Sequence, residues 1–127
     1  MTNGEATSYW FESAKETIKI ATDTFKLKHY DWSLFFWHLV IEKTLKGIIT
    51  KQRKVPPASH DLLKLANFAD LSLDSSKEAQ LSEISTYNLE ARYDDYKHSF
   101  YKKATESYTR KWVNICKELY LWLLKQK

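Results

Sequence analysis

Arg92 and His98, with five residues between them, are the pair whose types and spacing best suit chemistry on a phosphate. A guanidinium presents a planar fork of donors that matches two phosphate oxygens. An imidazole exchanges protons near neutral pH and can act as base or acid where a proton must move. Lys97 and Lys102 stand close in sequence and would extend a phosphate-binding rim, as would the clusters Lys51/Arg53/Lys54, Lys102/Lys103 and Arg110/Lys111. Runs of this kind are more often a solvated face. The bland alternative for Arg92 is a surface ion pair with Glu90, Asp94 or Asp95, and for His98 a solvated residue at a helix start. An R-x5-H string carries little specificity by itself. Tyr87, Tyr93, Tyr96 and Tyr101 bracket Arg92 and could stack a base, although aromatics at helical spacing more commonly fill a core or an interface.

The other reactive side chains point to structure. His38 precedes Glu42 by one helical turn, a spacing that suits a structural hydrogen bond. His60 follows a basic loop and reads as a residue that packs or caps locally. The four histidines and the single cysteine show none of the short spacings of zinc sites, so neither metal nor cofactor is expected. Cys116 falls on an apolar stripe and reads as a small buried residue. A lone cysteine also rules out an internal disulfide framework and fits a reducing compartment.

The elements that must carry these residues are helical. A chain of 127 residues suits one domain, residues 1–127, with 43% hydrophobic side chains for a core and 28% charged ones for a surface. Two glycines and two adjacent prolines are too few to punctuate a β-sandwich or barrel. Glu5, Glu12 and Glu16 argue against a signal peptide, and the longest apolar stretches, 34–37 and 119–124, are too short to span a bilayer, so a cytoplasmic protein is expected. A net charge of +4 is compatible with phosphate-bearing partners without requiring them.

Periodicity predicts a first helix from Thr7 or Ser8 with Trp10, Ala14, Ile18, Ala21 and Phe25 buried. A second, capped by Asp31, runs to Lys51. Its first half is apolar on every side, which predicts enclosure by neighbours or by a second copy. His38, Glu42 and Lys46 then stack on one face, and Gly47 inside the helix predicts close approach of another backbone. A short third helix, His60–Ala69, is expected behind a Ser59 cap, burying Leu62, Leu65, Ala66 and Ala69. Ser75 and Glu78 read as a capping box opening a fourth, which turns Ala79, Ile84, Tyr87 and Ala91 inward. Asp94-Asp95 marks a break or a helix start. Ala104, Tyr108, Trp112, Ile115, Leu119 and Trp122 or Leu123 form the stripe of the last helix.

Three segments, in order, resemble the HEPN family (higher eukaryotes and prokaryotes nucleotide-binding domain). Residues 32–48 (WSLFFWHLVIEKTLKGI) are similar to its second helix with an E-K-x-L-K-[GA] ending. Residues 59–65 (SHDLLKL) are similar to the H-D-L-x-x-L that opens its third, and 90–101 (EARYDDYKHSFY) to the A-R-Y-P-D-Y motif of one bacterial branch. The resemblance implies an all-α, up-and-down bundle of about five helices that pairs as a homodimer and often works with a small nucleotidyltransferase as toxin and antitoxin. In ribonuclease members an Arg, four to six residues and a His form the active site, a spacing that Arg92 and His98 fit. Cleavage there needs no metal, because RNA supplies its own 2′-hydroxyl nucleophile. Three positions depart from the family: Tyr93 follows Arg92, Asp94 stands for the motif's Pro, and Phe100 occupies the place of a tyrosine that partners adenylylate, with Tyr101 one further. The expectation is a homodimer that binds nucleotide or RNA phosphate through Arg92, Lys97 and Lys102. A metal-independent ribonuclease using Arg92 and His98 is the first alternative, and a non-catalytic interaction module the second.

Overall fold

Thr2 starts the chain's first helix, α1 (Asn3–Lys26), by accepting from the Glu5 amide at 3.0 Å while the Glu5 carboxylate accepts from the Thr2 amide at 3.3 Å. This reciprocal box satisfies two free amides, so the helix begins well before Thr7. In the computed structural model, which describes residues 1–127, five further helices follow: α2 (Tyr30–Lys51), α3 (Leu62–Phe68), α4 (Ser75–Arg92), α5 (Asp94–Lys103) and α6 (Glu106–Leu124). No strand is present. The bundle has six helices rather than about five because Tyr93, extended at φ −104° and ψ 129°, separates α4 from α5.

Two caps differ from expectation for one shared reason: an acidic side chain one or two residues off the expected cap competes for the same amides. Asp61, not Ser59, caps α3 through the Lys64 amide, which leaves His60 outside the helix. Asp74 caps α4 through the Lys77 amide, so Ser75 is already helical. Asp31 lies inside α2 and accepts from the neighbouring Trp32 amide, and no side chain caps α2. Thr105 caps α6, which places Ala104 in the joint between α5 and α6.

The first three helices end alike. One residue past each C-cap the chain turns left-handed, at Lys28 (φ 65°), Arg53 (φ 64°) and Asp70 (φ 57°). Paired bonds close each end: His29 N to Thr24 O with Lys28 N to Phe25 O, Lys54 N to Ile49 O with Arg53 N to Thr50 O, and Leu71 N to Ala66 O with Asp70 N to Asn67 O. These are Schellman closures, each made without the usual glycine.

α2 is the central strut, packed against α1, α3, α4, α5 and α6. Leu34, Trp37, Val40, Ile41, Leu45, Ile48 and Ile49 are buried on it, each such side chain contributing about 1.5–3 kcal/mol of transfer free energy. Gly47 admits the Phe11 ring of α1, not a backbone: a Cβ there would stand 2.9 Å from Phe11 Cζ. On α4, Ile84, Tyr87 and Ala91 are buried as expected, but Ala79 is exposed because Leu81, about 200° around the helix, sets the inward face. On α6 the buried stripe is Thr109, Val113, Cys116, Leu119 and Leu123, and Tyr108, Trp112, Ile115 and Trp122 are half-buried at its flank. No helix is long and apolar enough to cross a membrane.

Candidate functional site

Arg92 closes α4 and is exposed. Its Nη1 donates to Asn88 Oδ1, one turn back, at 3.5 Å, and no carboxylate lies within ion-pair reach of it. Two of the acidic neighbours that could have neutralised it are engaged elsewhere, Glu90 facing Lys103 at 3.7 Å and Asp94 facing Lys97 at 3.4 Å, and Asp95 makes no ion pair. Most of the guanidinium fork is therefore open to solvent. On α5, Phe100 is buried and stacks on Tyr87 with ring centroids 5.6 Å apart. Tyr96 lines a groove beside Asn88. His98 follows by two residues, about 200° around the helix, so it projects from the other side, exposed and with no hydrogen bond. Lys102 lines a separate depression with Lys28, Tyr30 and Glu106. Of the sequence-predicted residues, Arg92 and Lys97 flank the α4–α5 joint, whereas His98 and Lys102 face other directions.

The groove holds about 390 Å³ and is walled by His60 and Asp61 before α3, by Ser85, Thr86, Asn88, Leu89 and Glu90 of α4, and by Tyr96. Behind it lies the polar stripe of α2. Glu42, buried, accepts from His60 Nδ1 at 2.8 Å and from Lys46 Nζ at 3.0 Å. The Lys46 ammonium also sits 5.6 Å from the centre of the Trp10 ring. His38 is fully buried, and burial pushes its pKa down, so the ring is neutral. Its Nε2 donates to the His60 carbonyl at 3.1 Å and stands 3.7 Å from Glu42, while its Nδ1 has no partner.

The HEPN domain pattern matches residues 7–127. The chain belongs to the HEPN family. Its structure is similar to the crystal structure of TT1696 from Thermus thermophilus, with a TM-score of 0.79 over 95% of this chain and 98% of that one. At 19% identity that likeness is one of fold. No curated protein sequence matches the chain.

Within this HEPN domain a second polar network fastens α4 to α5 and α6. Tyr87 and Tyr108 hydroxyls meet at 2.7 Å, Tyr108 donates to Glu83, and Lys103 reaches Glu83 at 3.0 Å. Burial, and then hydrogen bonding, push both tyrosines well above their ordinary range, so they remain protonated donors. Burial also raises Glu90, against the pull of Lys103. No cluster of three or more His, Cys, Asp or Glu side chains is placed to hold a metal ion. The groove residue that sequence reasoning undervalued is His60. Its ring is oriented by a carboxylate eighteen residues away, and the available signal was the polar stripe His38/Glu42/Lys46 in an otherwise apolar helix.

Proposed function

We propose that this HEPN domain binds a nucleotide or RNA phosphate through Arg92 as a homodimer, working with a small nucleotidyltransferase in a toxin–antitoxin-type pair. The observation that carries the reading is the exposed, carboxylate-free guanidinium of Arg92, steadied by Asn88. A nucleotide- or RNA-related role is in keeping with the family. Lys97 adds positive charge one turn into α5, whereas Lys102, in its separate depression, stands apart from this contact. We propose that the chain stands in the branch with an A-R-Y-P-D-Y-like motif, a reading supported by the extended Tyr93 joint, which would accept a following proline. The dimer face is the aromatic group at the start of α2: Trp32 is 41% exposed and packs edge-on to Phe35, which packs on Phe36.

Binding of labelled single-stranded RNA at two salt concentrations tests the reading. Arg92→Ala should weaken binding about tenfold and lower the salt slope by about one, because one phosphate contact and its released counterion are lost. Lys125→Ala, past the end of α6, should change neither. Equal losses in the two variants would mean that charge acts diffusely and that Arg92 is no site.

A further inference from the structure

His60 lines a groove whose Asn88 accepts from Arg92, so the guanidinium stands just outside the groove and is tied to its wall. The polar groups along the groove decide what it can hold. Ser85 is saturated, accepting from the Leu62 amide at 2.9 Å and donating to the Leu81 carbonyl at 2.8 Å. Thr86 donates to the Glu83 carbonyl. Left over are His60 Nε2, the Asn88 NH2 group, the Tyr96 hydroxyl and one oxygen of Asp61, while Glu90 Oε2, buried and without a hydrogen bond, faces Lys103 at 3.7 Å.

Because Glu42 accepts from His60 Nδ1–H, the tautomer this bond selects leaves Nε2, at the ring's far edge, as an acceptor. The free groups thus mix acceptors, His60 Nε2 and Asp61, with the Asn88 NH2 donor and the Tyr96 hydroxyl, which can do both. A phosphate finds no lysine or arginine on such a floor. A neutral group rich in hydroxyl donors would be held, with its anionic end left to the guanidinium at the edge. The volume lies within the range of small-molecule sites. We propose that the groove between α3, α4 and α5 is a subsite for the ribose of a ribonucleotide, with His60 accepting from a sugar hydroxyl while Arg92 holds the attached phosphate. The subsite rests on the reading of Arg92 as the phosphate contact.

Titration calorimetry with adenosine 5′-monophosphate and its 2′,3′-dideoxy analogue separates the two ideas. The unmodified protein should bind the ribonucleotide about tenfold more tightly, the size expected for hydrogen bonds to oriented groups. His60→Phe should bind both compounds equally, and Arg92→Ala should weaken both by the same factor. In the unmodified protein the His60 ring proton resonance should move with the ribonucleotide and not with the dideoxy compound, a measurement independent of how any variant folds. Equal affinity for the two compounds, or a ribose preference that persists in His60→Phe, overturns the subsite and leaves Arg92 standing. Binding indifferent to Arg92→Ala overturns the phosphate contact on which the subsite depends.

Discussion

His38 is the one histidine sealed inside the bundle, and its surroundings make the fold sensitive to acid. Burial holds its pKa below the ordinary 6.5, so the unfolded chain binds more protons than the folded one between those two values. The stabilisation is fully present above pH 6.5 and is lost as pH falls from there towards the lowered value. Glu42 and Lys46 from α2 and His60 ahead of α3 face the ring, and protonating it adds a cation beside Lys46. Thermal melts from pH 7.5 down to 5.5 should show a falling midpoint. His38→Gln, which keeps a donor for the His60 carbonyl without a titrating ring, should flatten that fall. An equal fall in both proteins would place the acid sensitivity elsewhere. At this scale the sequence was partly legible. His38, Glu42 and Lys46 are visibly stacked, but the bond that closes the group comes from His60, and no local pattern announces a contact across eighteen residues. Likewise, the freedom of Arg92 depends on Lys97 and Lys103 engaging two of its acidic neighbours, a matter of three dimensions.

Among the elements, the α4–α5 joint makes the sharpest prediction. Tyr93 is extended, Asp94 is the first residue of α5, and the Asp94 amide makes no backbone hydrogen bond. Proline fits the first helical position and requires an extended residue before it. Asp94→Pro should therefore fold normally and gain about 0.5 kcal/mol by restricting the unfolded chain, the exposed pair with Lys97 contributing little. A chemical-denaturation midpoint below that of the parent would show that the joint is bent in some other way. Helix existence was legible wherever apolar residues recur at three and four, as in α1 and α6. Boundaries were less so, because Thr2, Asp61 and Asp74 cap from outside the apolar pattern. On α6, Cys116, Leu119 and Leu123 are buried as expected, but Tyr108, Trp112 and Ile115 fall one residue off the inward face for a physical reason. Tyr108 and Thr109, Trp112 and Val113, Ile115 and Cys116 are adjacent pairs that make two parallel stripes, and only packing against α2 selects between them.

The whole molecule leaves an aromatic face at the start of α2, where Trp32, Phe35 and Phe36 pack on one another yet stay partly exposed. If that face joins two copies, light scattering should report about twice the 15.1 kDa of one chain, and Trp32→Asp should return the mass to that of a monomer. A monomer at micromolar concentrations would count against the dimer. The three left-handed helix ends bear on the bundle as a scaffold. Lysine, arginine and aspartate occupy backbone angles where a side chain crowds its own carbonyl, at a cost of roughly 1–2 kcal/mol each, of which the extra chain entropy that glycine loses on folding offsets part. A variant with Lys28→Gly, Arg53→Gly and Asp70→Gly should melt roughly 5 °C higher, even after losing the exposed Lys54–Asp70 pair. None of the three is Arg92 or His60, and none lines the groove beside them. An engineer seeking a tougher starting point for reshaping that groove would thus find the margin already written into the turns, in places where ligand chemistry is indifferent to it.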